Sequence, residues 1–235
     1  MEQARNKDQK CPVVLLLDTS GSMCDEANGV KAIDELNKAI QSLKDEIICD
    51  PILSQRLELG IVCFDDDARV EKSIDLVSPE SSLPVLQAGG TTNVVAGMNK
   101  AMEIIEERKA FYKSNNEAYY RPFIVLFTDG APTNTQDEIE TLDGQIQQLS
   151  DAKKFVFIPF GVGNADMQLL AKLAAQSADE RLKNKAVAYK MTDVKKFADV
   201  FAFVSASIGA AIGQGGATTA QLDPNTAQAV TFSLV

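Results

Sequence analysis

Two rhythms of apolar and polar positions alternate along this 235-residue chain. Short unbroken apolar runs, such as Val13-Val14-Leu15-Leu16-Leu17, have the length and density of strands buried on both faces. Between them, apolar residues recur every three or four positions, the period of an amphipathic helix. "PVVLLLD" predicts a buried parallel strand ending at Asp18, and Val30, Ile33, Leu36, Ile40, Leu43 and Ile47 predict a long helix after it. "RLELGIVCFDDDARVEKSIDLV" reads as two strands joined at Asp65-Asp66-Asp67, a hairpin with a solvated turn that sets an antiparallel strand at a sheet edge. Val94, Val95, Met98, Met102 and Ile105 mark a second helix, "RPFIVLFTDG" a strand ending at Asp129, and Ile139, Leu142, Ile146 and Leu149 a third helix. "KKFVFIPFGVG" then predicts a strand, residues 166–175 a shorter helix and "AVAYKM" a short strand. The last helix carries Val194, Phe197, Phe201, Val204, Ile208 and Ala211.

Repeated β–α alternation with buried strands implies an α/β fold: a mostly parallel central sheet, one antiparallel edge strand, and helices on both faces. No repeat or Pro/Gly/Ser linker interrupts the pattern, so one domain is expected over residues 12–213. It leaves an N-terminal extension, 1–11, and a tail, 214–235, rich in Gly, Ala, Thr and Gln. Within that tail "AQAVTFSLV" either adds a strand or docks on a partner.

Charge narrows the partners. Asp plus Glu number 33 against 23 Lys plus Arg, a formal charge of −10. Nucleic acids and anionic membranes select basic patches, so neither is expected as the main partner. Cations and basic protein surfaces remain compatible. The apolar runs fall far short of the ~20 residues of a spanning helix, and "MEQARNKDQK" has no apolar signal core. Cys11, Cys24, Cys49 and Cys63 form no C-x-x-C pair and read as reduced thiols, which suggests the cytoplasm. The chain has no histidine, which removes Ser-His-Asp and Cys-His nucleophiles and imidazole metal sites. Any metal must be a hard cation held by oxygen.

Three polar segments fall where an open parallel sheet binds ligands, beyond the carboxyl ends of its strands. They are "DTSGS" (Asp18, Ser20, Ser22), "GGTTN" (Thr91, Thr92) and "TDG" (Asp129). In an extended loop, residues two apart point to the same side, so Asp18, Ser20 and Ser22 can converge. Taken alone, "DTSGS" fits a cation site or a helix cap equally well. Asp25 and Glu26, just beyond it, read as first-turn acids favoured by the helix dipole, with added negative potential around a metal as the second reading.

Together, "LLLDTSGSM", "GGTTNVVAGM" and "IVLFTDG" resemble the von Willebrand factor A domain and its metal-ion-dependent adhesion site, D-x-S-x-S, then Thr, then Asp. The resemblance runs from about Pro12 to about Gly213. It implies a Rossmann-like three-layer sandwich that binds one Mg²⁺, or Mn²⁺ or Ca²⁺, through Asp18, Ser20, Ser22, Thr92 and Asp129. Family members place the Thr five residues before the small residue of a pair matched here by Gly97-Met98, which selects Thr92 and keeps Thr91 as the fallback. An open coordination position would accept an Asp or Glu from a partner protein. The opening "CPVVLLLDTSGSM" further resembles intracellular members of tellurite-resistance and stress-response systems, which implies a non-enzymatic interaction module.

Two other readings stand beside it. A haloacid-dehalogenase-like phosphotransferase also begins with an Asp closing a first strand, but needs a second carboxylate where this chain has Ser20. A scaffold that makes no use of the metal would not need the complete oxygen set. The G-x-G-x-x-G, P-loop and G-x-S-x-G patterns are all absent.

Overall fold

Apolar runs like the first strand need cover on both faces, and the chain supplies it. The structure is a computed structural model that describes residues 8–27, 29–174, 185–191, 193–213 and 227–233. The N-terminal extension up to residue 7 and the tail over 214–226 lie outside the described residues. The strands are β1 (Cys11–Asp18), the short β2 (Glu26–Ala27) and β3 (Val30–Lys31), β4 (Leu57–Phe64), β5 (Ala68–Leu76), β6 (Phe123–Thr128), β7 (Val156–Gly161), β8 (Lys185–Met191) and β9 (Ala227–Ser233). The helices are α1 (Ala32–Cys49), α2 (Leu53–Arg56), α3 (Val94–Asn115), α4 (Gln136–Asp151), α5 (Met167–Leu173) and α6 (Phe197–Gly213).

β1 is buried along its whole length and divides two cores. Val13, Leu15 and Leu17 pack with Leu36, Ile40 and Leu43 of α1 and Phe201 and Val204 of α6. Val14 and Leu16 point the other way, toward Met98 and Ile105 of α3, Leu142 of α4 and Leu170 of α5. This period-two division is what a strand requires, and it makes the three layers. Under α6, Phe127 stacks on Phe160 at 4.9 Å between ring centroids and meets Phe201 edge-on at 4.9 Å.

The main sheet runs β5-β4-β1-β6-β7-β8-β9. β4, β1, β6, β7 and β8 are parallel, and β5 returns antiparallel from the Asp65–Asp67 turn, as the hairpin pattern predicts. At the opposite edge β9 pairs antiparallel with β8, so "AQAVTFS" does add a strand. From β1 the chain crosses to β4 on one side, and later to β6 on the other. Strand order therefore reverses between β1 and β6, the switch point at which such sheets bind ligands.

The start of α1 differs from the periodic reading. Val30 lies in a small β2–β3 hairpin turned at Gly29, whose φ of 73° is left-handed, and the helix begins at Ala32. Asp25 and Glu26 are therefore not first-turn acids; Asp34 and Glu35 hold that place. The hydrophobic period ran on through the hairpin because Val30 happens to be in register with the helix.

The far end of the sheet is held by a buried ionic group. Glu58, 2% exposed at the start of β4, accepts a forked pair of hydrogen bonds from Arg108 at 2.7 and 2.6 Å. It also accepts one from the buried Tyr112 hydroxyl. Burial and the Glu58 bond both push the Tyr112 hydroxyl up; burial opposes the Arg108 cation, and Glu58 outweighs it.

Candidate metal centre

The carboxyl ends of β1 and β6 place Asp18 and Asp129 side by side, because Leu17 pairs in register with Phe127. Asp18 is fully buried and held at both oxygens. The Ser20 amide donates to Oδ1 at 2.8 Å, and the Thr128 hydroxyl donates to Oδ2 at 2.5 Å. Ser20 Oγ and Ser22 Oγ lie 3.0 Å apart and share a hydrogen bond, and Ser22 Oγ donates to Asp129 Oδ1 at 2.6 Å. The structure thus joins Asp18, Ser20, Ser22 and Asp129 in one hydrogen-bonded group.

Thr92 is 6% exposed and Thr91 is exposed to solvent. A Cβ built on Gly130 would lie 3.3 Å from Thr92 Oγ1 and 3.6 Å from Ser22 Oγ, so both hydroxyls flank one point beside Asp129. Thr92 is turned inward by its neighbours. The Thr91 amide donates to the Asp66 carboxylate at 2.8 Å, and Asn93 caps α3 by accepting from the Ala96 amide. Gly97 lets α3 approach the end of β4, since a Cβ there would meet the Phe64 ring at 2.8 Å.

Backbone bonds pin the three loops together. The Gly21 amide donates to the Gly90 carbonyl at 3.1 Å, Gly89 to Thr19 at 2.8 Å, Asn93 to Asp65 at 2.8 Å, and Thr133 to Thr92 at 2.9 Å. Gly90 itself adopts φ 76°, and a Cβ there would lie 2.9 Å from Asp66. The acidic hairpin turn is accordingly more than a solvated bend. Asp66 anchors the loop carrying Thr92, and Asp65 pairs with Arg69 at 2.5 Å. Burial works against ionisation of Asp65, but Arg69 holds its carboxyl below the usual range.

Electrostatically the pocket is one-sided. Burial raises the Asp18 carboxyl, with the Thr128 and Ser20 hydrogen bonds opposing. Burial likewise raises Asp129, to about 6, and the charges acting on it, Asp18 and Asp25, are both negative. Two carboxylates and three hydroxyls without imidazole or thiolate are the donors a hard, oxygen-seeking dication takes. Among the described residues no group of three or more His, Cys, Asp or Glu is placed to hold a metal, so a cation here would depend on the hydroxyls.

Residues 13–202 match the von Willebrand factor type A domain. The chain belongs to that family. An uncharacterized protein of Methanocaldococcus jannaschii is 30% identical over 132 residues, 54% of this chain and 26% of that one. The chain thus spans about a quarter of that relative's length. Among solved structures, the ArnB paralog VWA2 of Sulfolobus acidocaldarius has a TM-score of 0.55 and 20% identity, covering 84% of this chain and 44% of that one. Proximal thread matrix protein 1 from the mussel byssus, with a zinc-occupied MIDAS motif, has a TM-score of 0.56 and 15% identity, covering 86% and 46%. The PilB minor pilin of Streptococcus sanguinis has a TM-score of 0.57 and 13% identity, covering 86% and 61%. These likenesses establish the shared fold, a Rossmann-like α/β sandwich.

The sequence pattern missed Thr128, Asn93 and Asn134. Thr128 donates its hydroxyl to Asp18 from across the switch point. Asn134 donates to Asn93 at 2.8 Å and so links the α3 cap to the loop after Asp129. The only signal for Thr128 was its place beside Asp129 in "TDG". Nothing in the sequence marked the two asparagines as partners.

Among the described residues no helix is long and apolar enough to cross a membrane. Cys11 and Cys63 are buried free thiols, both pushed up to about 12 by burial, and Cys24 and Cys49 are exposed free thiols.

Proposed function

We propose that Asp18, Ser20, Ser22, Thr92 and Asp129 hold one hard divalent cation, Mg²⁺ or Mn²⁺, or alternatively Ca²⁺. Through that ion the domain engages a protein partner that contributes an Asp or Glu. The observation that carries this reading is the convergence of two carboxylates and three hydroxyls from three pinned loops at the β1/β6 switch point. Asp18, with both oxygens already engaged by Ser20 and Thr128, is suited to orient the shell and to act through water. Ser22 and Asp129, less enclosed, are suited to direct ligation. When bound, the ion supplies Lewis acidity and positive charge toward an incoming carboxylate.

The role is non-enzymatic in this reading, since Ser20 stands where a phosphotransferase of this layout needs its general acid/base and the chain has no histidine. Residues 12–213 act as the domain, in the cytoplasm. Placement in a stress or tellurite-resistance system rests on the opening "CPVVLLLDTSGSM" alone.

Isothermal titration of Mg²⁺ or Mn²⁺ tests the site. Asp18→Ala is expected to weaken binding about 10–100-fold, the range for removing a group that orients metal ligands. Unchanged affinity in that variant would remove the assignment.

A further inference from the structure

Thr92 offers a neutral hydroxyl from a loop, and a loop side chain is a precise ligand only where its backbone is held. Its neighbours supply that hold from two sides. Toward the β4–β5 turn, the Thr91 amide donates to Asp66 at 2.8 Å and the Asn93 amide to the Asp65 carbonyl at 2.8 Å. On the other side the Thr133 amide donates to the Thr92 carbonyl at 2.9 Å, and Asn134 meets Asn93 at 2.8 Å. Thr133 and Asn134 belong to the loop that leaves Asp129. The segment that carries one candidate ligand therefore clasps the backbone around another.

Asn134 makes two bonds, and the start of α3 fixes which atom makes each. Asn93 Oδ1 accepts from the Ala96 amide at 3.0 Å, as an N-cap does. The Asn134 atom that faces this oxygen is the donor, Nδ2, at 2.8 Å. Its Oδ1 is left to accept from the Val95 amide at 3.3 Å. One half-buried side chain thus reaches both the cap residue beside Thr92 and the first turn of α3. Alanine there would keep the Thr133 backbone bond and release Asn93.

Building on the metal site proposed above, we infer that Asn134 is a positioning residue for the cation. Through Asn93 it sets the place of the Thr92 hydroxyl relative to Asp129 and contributes no ligand itself. Thr92 and Asp129 then answer a cation as one unit, because a shift of the Asp129 loop carries Thr92 with it. Groups that orient metal ligands are worth about 10–100-fold in metal affinity. A residue that served only to cap α3 would change folding stability and leave affinity for the ion where it was.

A double-mutant cycle on Mn²⁺ affinity separates these two roles. The wild-type chain, Asn134→Ala, Thr92→Ala and the double variant are titrated with Mn²⁺ by calorimetry, and each is unfolded in urea without metal. Asn134→Ala should weaken Mn²⁺ binding about tenfold. Once Thr92→Ala has removed the hydroxyl, the Asn134 change should cost no more than about twofold further, the usual margin of such cycles. Independent effects would multiply instead. Asn134→Ser, whose side chain is too short to keep both bonds, takes the same place in the cycle should the alanine variant unfold. Undiminished affinity in Asn134→Ala, or a loss that persists in full in the Thr92→Ala background, would overturn the inference. Failure of the wild-type chain to bind Mn²⁺, or wild-type affinity in Thr92→Ala, would instead overturn the metal site or the place of Thr92 in it. The two kinds of failure are thus distinguishable.

Discussion

Glu58→Ala is expected to cost about 3–5 kcal/mol of folding stability, because it leaves a half-buried guanidinium and a buried hydroxyl without their acceptor. Arg108 loses both arms of its fork, and the buried Tyr112 hydroxyl loses its acceptor. The same physics predicts that Glu58→Leu combined with Arg108→Met restores most of the loss, since an apolar pair of similar size needs no desolvation of charge. Urea unfolding of the three proteins measures this, and a Glu58→Ala loss below about 1 kcal/mol would show the group to be solvated. Metal affinity should be unchanged in the folded single variant. Glu58 is the second residue of β4 and Phe64 the last, which puts the ionic group about 20 Å from the candidate centre.

Asp129→Asn should do the reverse, stabilising the metal-free protein and removing its response to metal. Burial and the neighbouring Asp18 and Asp25 raise the Asp129 carboxyl from the ordinary range to about 6 in the folded chain. A raised carboxyl favours folding in its protonated form. The contribution is fully present below the unfolded value near 3.8, and is lost as pH rises through about 6. At pH 7.5 the metal-free protein is thus weakened by an ionised Asp129. The penalty is about 1 kcal/mol once screening at this half-buried position is allowed for. Asparagine keeps the acceptor for Ser22 and removes the charge, so its metal-free midpoint should rise and its pH dependence flatten. The wild-type chain, with cation at 100 times its dissociation constant, should gain about 2.7 kcal/mol. The variant should gain almost nothing. Thermal melts with and without Mn²⁺ at pH 5 and 7.5 read both effects, and an equal Mn²⁺ shift in the two proteins would exclude Asp129 as a ligand.

These two residues also show what the sequence could and could not disclose. Asp129 was legible because it ends an apolar run, and strand ends in a parallel sheet share one edge. Asp18 was legible for the same reason, and the β4–β5 hairpin followed from the polar break between two alternating runs. Glu58 was not read as a partner of anything. Its acceptor role depends on Arg108 and Tyr112, 50 and 54 residues away, and on how far α3 slides along β4. Periodicity gives the face of a helix but not its axial position.

Local geometry hid the rest. Which of Thr91 and Thr92 turns inward depends on one amide held by Asp66 and one cap made by Asn93, neither visible as spacing. The false start of α1 came from Val30 falling on the helical period while Gly29 turned the chain into a hairpin. Tail residues 227–233 kept an alternating pattern strong enough to suggest a strand, yet only its partner β8 decided between sheet and docking.

Anomalous diffraction from crystals soaked in Mn²⁺ tests the metal site most directly. One peak is expected beyond the ends of β1 and β6, within bonding reach of Ser20, Ser22, Thr92 and Asp129 oxygens, and absent in Asp129→Asn. A fully occupied peak at the Asp65-Asp66-Asp67 turn, or none between Asp18 and Asp129, would contradict it.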